Sequence, residues 1–306
     1  MYIEQVRKQA NKPSFYIIGT VILVVVVALG GLPFEVALAH EIGSQQAMQL
    51  SIAERMQVLP TNITLFLLLL PFTFAFGTIL LITSVFHKLS ITQFITSRSK
   101  VDWKRIGFGF GTVTVALGLM LFVSFITEPE SFQWNFDPKA FAVLVLISIV
   151  MVPLQTSAEE LFFRGYLMQG LGHIFPMRIF PFVITSVLFG LLHFANPEVE
   201  KLGDVILITY LSTGFFLGAI TLLDEGLELA MGFHSGNNLF LSLFLTSDWT
   251  VFQTSSLLID VSAPNVVVYI IAPLVVYFTL FILYARKYKW KNYRVHLFGL
   301  PLAKAS

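Results

Sequence analysis

Eight stretches without a single Asp, Glu, Lys or Arg constrain this chain more than any other feature: residues 13–34, 56–87, 106–127, 140–158, 179–197, 205–223, 229–247 and 261–285. Each is close to or above the ~20 residues that an α-helix, rising ~1.5 Å per residue, needs to cross ~30 Å of hydrocarbon. None alternates with the period of two expected of a membrane barrel strand. A helix also closes its own backbone hydrogen bonds, the governing demand in lipid. With 12% charged and 56% apolar residues, the chain lacks the polar skin of a soluble domain. The expected fold is therefore all-α: a polytopic membrane protein of about eight transmembrane helices, forming a single membrane domain over residues 1–306.

The placement of Lys and Arg predicts the orientation. With the N-terminus inside, the inner segments hold Arg7, Lys8 and Lys12, then Lys88, Arg98, Lys100, Lys104 and Arg105, then Arg164 and Arg178, then Arg286, Lys287, Lys289, Lys291, Arg294 and Lys304. The outer side keeps only Arg55, Lys139 and Lys201. So strong a bias predicts an N-in, C-in topology. The first apolar run ends near Ala37-Leu38-Ala39, which resembles a signal-peptidase site. The run is longer than a signal peptide's apolar region, however, so an uncleaved first span is expected. No convincing internal repeat emerges. The net charge of +1 singles out no basic surface, and no nucleic-acid partner is expected.

Ionisable residues are expensive inside a membrane and mark functional sites by default. Three such places stand out: Ser157-Ala-Glu159-Glu160-Leu-Phe-Phe-Arg164-Gly165 after the fourth window, Phe189-Gly-Leu-Leu-His193 late in the fifth, and His234-Ser-Gly-Asn-Asn238 inside the seventh. In each, the key pair is spaced i, i+4 and projects from one helix face. Gly170, Gly172 and Pro176 form a helix stop, so the fourth helix is expected to run about 12 residues past Glu159, which then lies ~18 Å from its inner end. A fifth helix starting near Arg178 carries His193 roughly 22 Å inward, and His234 lies ~15 Å beyond Asp224. All three places can thus converge in one cavity within the membrane.

The chain has no cysteine, which excludes disulfides and thiolate chemistry. A carboxylate and an imidazole in a partly dry cavity suit proton transfer, and His234 with Asn238, one turn apart, could stabilise an oxyanion. Arg164, one turn from Glu160, would neutralise that carboxylate and brace it. Each site also has a plain structural reading. Glu160 and Arg164 can be an ion pair, His193 a core histidine, His234 and Asn238 interhelical polar contacts, and Phe189 packing. Asp224, Glu225 and Glu228 read as interfacial charges.

Taken in order, the three motifs resemble those of the CPBP family, which comprises type II CAAX prenyl endopeptidases and bacteriocin-processing or immunity proteins, also called the Abi family. The family's marks are EExxxR, FxxxH, and HxxxN or HxxxD on successive membrane helices, matched here within a motif core at about 155–245. The resemblance implies an intramembrane endopeptidase acting on a membrane-associated protein or peptide. Glu159 and His193 would activate water, His234 and Asn238 would form the oxyanion hole, and Glu160 and Arg164 would support them. It also implies a metalloprotease alternative, in which Glu159, His193 and His234 are zinc ligands; the absence of an HExxH motif leaves that set open. A non-catalytic scaffold, immunity or regulatory protein of the same family is the competing expectation, and a proton-relay transporter a third. In a bacterium, such a protein would sit in the plasma membrane.

Overall fold

The computed structural model describes residues 2–3 and 12–299; Arg7, Lys8 and Lys304 of the predicted inner segments lie outside them. All eight apolar windows form helices: α1 Pro13–Ile42, α2 Thr61–Phe86, α3 Trp103–Thr127, α4 Pro138–Ile174, α5 Ile179–Leu192, α6 Leu207–Asp224, α7 Glu228–Phe244 and α8 Val266–Lys287. Among the described residues, six helices, α1 to α4, α6 and α8, are long and apolar enough to cross a membrane. This is an integral multi-pass membrane protein. The outward faces carry the expected apolar side chains, such as Ile17, Val24, Leu81, Leu146 and Phe278.

The other two helices are shorter, and they bear the histidines. The α5 helix has 14 residues and α7 has 17, about 21 and 26 Å of rise. The backbone of α5 leaves the helix at His193, enters a 3-10 turn, and extends at Asn196 before Pro197, as a residue preceding proline favours. The α7 helix starts after a left-handed turn at Glu225 and ends in an extended Leu245. The α4 helix runs on to Ile174, as the glycine–proline stop predicts.

Close packing fixes α7. The α3 helix lies along one side of it and α4 along another. Toward α3 it presents Gly232 and Gly236, where an added Cβ would sit 2.1 Å from the carbonyl oxygen of Ile106 and 2.7 Å from that of Phe110. Small residues four apart allow this backbone approach without lost packing. His234 and Asn238, two positions on from each glycine, fall on the opposite face of α7 and point toward α4.

The helix ends sort into two groups. At one end, Arg98 bonds Asp224 and Glu228, each at 3.0 Å. Arg105 also pairs with Asp224, and the Trp290 indole donates to it at 3.0 Å. Arg178 joins the same end by donating to the carbonyl of Val295 at 3.0 Å. Asp224 and Glu228, expected at the interface, are instead buried beneath these partners. A charged carboxylate leaves water this completely only when donors surround it. At the opposite end, three short strands, β1 Phe132–Trp134, β2 Leu245–Thr246 and β3 Leu258–Asp260, form a small sheet in the order β1-β3-β2. The pair β1–β3 is antiparallel and β2–β3 parallel. Arg164, counted with the inner basic residues, lies at neither end and is fully buried.

Candidate active site

The site is assembled around α4. From Leu161 to Leu167 its backbone becomes π-helical, directly after Glu160. Widened turns of this kind inside α-helices recur at functional sites, and here i and i+4 side chains come nearly into line. The Arg164 guanidinium accordingly reaches back to Glu160, its Nη1 donating to Oε1 at 2.8 Å with both side chains fully buried. Its Nη2 donates to the carbonyl of Gly214 on α6 at 3.2 Å. The guanidinium carbon sits 4.2 Å from the centre of the Phe189 ring on α5. One arginine thereby ties α4, α5 and α6 together.

Glu160 Oε1 also faces Nδ1 of His234 at 2.8 Å. A carboxylate paired with arginine can only accept, so the hydrogen lies on Nδ1. The other ring nitrogen, Nε2, approaches Oε2 of Glu159 at 3.8 Å. The two adjacent glutamates thus divide the roles. Glu160 is sealed, whereas the Glu159 side chain keeps 13% of its surface exposed. Oε2 of each glutamate makes no hydrogen bond within the protein, so the two differ in exposure and in neutralisation rather than in a spare oxygen.

Glu159 Oε1 is held by Gln155, one turn earlier on α4, whose Nε2 donates to it at 2.5 Å. Gln155 Oε1 in turn accepts from Asn238 Nδ2 at 3.2 Å. Beside this pair, the hydroxyls of Thr156 and Ser235 bond at 2.7 Å and pin α4 to α7. Glu159, Glu160, Arg164, His234 and Asn238, separate in sequence, are therefore one connected cluster.

His193 borders this cluster without bonding to Glu159. Its Nδ1 faces the backbone carbonyl of Phe189 at 2.7 Å. A carbonyl only accepts, so Nδ1 carries the hydrogen and Nε2 is left as the free acceptor in the neutral ring. Its ring stacks on Tyr210 of α6, with centroids 4.6 Å apart and planes inclined 22°. The Phe189 ring lies between the two imidazoles, 4.7 Å from His193 and 5.9 Å from His234. Phe189 thus packs, as expected, and also supplies the carbonyl that orients His193.

Gln155 and Tyr210 belong to the site but to none of the three motifs. Gln155 had a readable signal: an amide inside an uncharged window, four residues before Glu159. Tyr210 had none, because only the packing of α6 on α5 brings it to His193.

The metal alternative fits these side chains poorly. Among the described residues, no group of three or more His, Asp or Glu is arranged to hold a metal ion. The imidazoles themselves could ligate through Nε2, since each turns Nδ1 to an oxygen, but their Nε2 atoms and Glu159 are not gathered as a ligand set.

The helix that carries EExxxR thus lies at the centre of an all-α, multi-pass membrane bundle. Residues 138–240 match the family model described as type II CAAX prenyl endopeptidase Rce1-like. The match runs from the start of α4 into α7 and contains every motif residue, so the resemblance to the CPBP family is borne out. A relative from Bacillus subtilis (strain 168), the uncharacterized protein YyaK, is 37% identical over 172 residues, covering 56% of this chain and 58% of its own length. The similarity thus spans less than two thirds of that relative. No solved structure matches this chain.

Proposed function

We propose that the protein is an intramembrane endopeptidase that hydrolyses a peptide bond in or beside the bilayer by a glutamate-dependent mechanism. The observation that carries this reading is the pairing of two unlike carboxylates on one helix. Glu160 is neutralised by Arg164 and wholly buried, while Glu159, bonded only by the Gln155 amide, keeps 13% of its side chain exposed and turns Oε2 toward His234. A structural ion pair alone needs no second carboxylate without a bonded cation, which costs stability unless it is used.

In this mechanism, Glu159 Oε2 takes a proton from water as the water oxygen bonds to the scissile carbonyl carbon. His193 Nε2, bare because Nδ1 faces a carbonyl, orients that water. The resulting oxyanion is met by Asn238 Nδ2 and by His234 Nε2. With Nδ1 turned to Glu160, His234 donates from Nε2 only as the imidazolium, so this role assigns it that form. The C–N bond then breaks as Glu159 returns its proton to the leaving nitrogen. The substrate class is a membrane-associated protein or peptide.

The test is cleavage of a panel of membrane-anchored peptides by the purified protein in liposomes, beside Glu159→Ala. The expected result is turnover by the wild type and none by the variant, with equal insertion and unfolding temperature. Proteolysis retained by Glu159→Ala refutes the mechanism. A wild type inert on every peptide favours a peptide-binding scaffold or regulator.

A further inference from the structure

Gln155 hydrogen-bonds both the carboxylate and the amide on which the proposed chemistry depends. The hydrogen bonds around it run in one direction. Asn237 Nδ2 donates to Asn238 Oδ1 at 3.0 Å, Asn238 Nδ2 donates to Gln155 Oε1 at 3.2 Å, and Gln155 Nε2 donates to Glu159 Oε1 at 2.5 Å. The direction is forced by chemistry. A carboxylate oxygen only accepts, so the Gln155 nitrogen faces Glu159 and its oxygen faces Asn238. With its oxygen toward Gln155, Asn238 would set two acceptors against each other; its nitrogen must lie there.

We propose that Gln155 is a positioning residue that sets the general base and the oxyanion donor in one step. It rests on the protease reading above, in which Glu159 and Asn238 hold those roles. Gln155 occupies Oε1 of Glu159, so that Oε2 alone is left for the water proton. It also takes one of the two amide hydrogens of Asn238 and leaves the other for the oxyanion. A preorganised donor needs no rearrangement as charge develops, which is where such bonds gain their catalytic value. Its placement one turn before Glu159 on α4 means the helix itself delivers it. The side chain is buried, so its bonds do not compete with bulk water.

Gln155→Met keeps length and volume while deleting both hydrogen bonds. Assayed in liposomes with kcat and KM determined separately, it is expected to lower kcat about 10- to 100-fold, the range for one charge-assisted bond, with KM within about twofold. On an Asn238→Ala background the same change is expected to cost less, because part of its effect passes through Asn238. Strictly multiplicative losses, an unchanged kcat, or kcat and KM shifting together with a lowered unfolding temperature overturn the proposal. If Gln155→Met fails to insert, Gln155→Glu retains size and the acceptor for Asn238 but not the donor to Glu159. Loss of kcat at constant KM then supports the proposal, and full activity overturns it. If the wild type cleaves nothing, unfolding temperatures of Gln155→Met, Asn238→Ala and the double variant decide separately. Coupled shifts uphold the bridge while the protease reading fails, and additive shifts overturn the bridge as well.

Discussion

Arg164→Met is the perturbation whose outcome the structure fixes most tightly. In the folded protein, Arg164 and Glu160 are both wholly removed from solvent and bonded at 2.8 Å. Methionine fills much of the arginine's volume but leaves the Glu160 carboxylate buried with only His234 beside it. Removing one partner of a buried pair costs about 3–5 kcal/mol, because the remaining charge keeps its desolvation penalty and loses its compensation. That figure already includes the lost bond to the Gly214 carbonyl and the guanidinium stacked on Phe189. The double variant Glu160→Gln with Arg164→Met tests the reasoning. Both charges are gone, glutamine can still bond His234, and stability is expected to return to within about 1–2 kcal/mol of wild type. The measurement is unfolding in detergent or bicelles for the four proteins of the cycle. Proteolysis by the double variant is still expected to be lost, since an amide cannot hold His234 as a charged carboxylate does. The reasoning is refuted if the double variant is as unstable as the two single losses combined, or if Arg164→Met unfolds no earlier than wild type.

Two further outcomes follow from packing and burial. Gly232→Ala drives a methyl group to 2.1 Å from the Ile106 carbonyl oxygen, so α7 must withdraw from α3 at a cost of about 1–3 kcal/mol; Gly111→Ala, whose Cβ meets nothing within 4 Å, should be neutral or stabilising in the same unfolding assay. Glu198, in the short helix Pro197–Leu202 outside the spans, accepts from the Val251 amide at 2.8 Å, and burial raises its carboxyl above the ordinary range. The folded state therefore binds that proton more tightly than the unfolded chain. This contribution is full below the ordinary carboxylate range and is lost as pH rises toward the raised value. Glu198→Gln, which can still accept from Val251, should flatten that decline; unfolding temperatures across about pH 4 to 8 would show it, and an unaltered slope would count against it.

The motif residues were legible because each is an exception within an apolar background. Glu159, Glu160, His193, His234 and Asn238 stand where a membrane helix otherwise avoids polar side chains, and the i, i+4 spacing announced a shared face. The glycines of α7 carried a second message that composition alone does not separate. Gly232 and Gly236 are there for α3, while His234 and Ser235 between them serve α4. Pairings were harder to read. His193 looks like the natural partner of Glu159, yet it is turned by its own Phe189 carbonyl and a stacked Tyr210, and the imidazole beside Glu159 is that of His234. Asp224 and Glu228 read as surface charges because they end helices. Only the fold could bring Arg98, Arg105 and Trp290 over them.

By itself, the sequence determined that this chain lives in a membrane, that it does so as helices, and which few polar residues it carries inward. Those are one-dimensional properties: lipid demands apolar runs of a given length with self-satisfied backbones, and a string of letters displays run length and spacing directly. The tertiary structure decided who meets whom. Distances between side chains on different helices depend on how closely backbones approach at Gly232 and Gly214, on the π-turn after Glu160, and on where α5 breaks at His193. None of these leaves a fixed spacing in the sequence. The difference between Glu159 and Glu160 is the clearest case. They are adjacent and identical in kind, and only the arrival of Arg164 at one and of Gln155 at the other neutralises Glu160 and leaves Glu159 without a bonded cation.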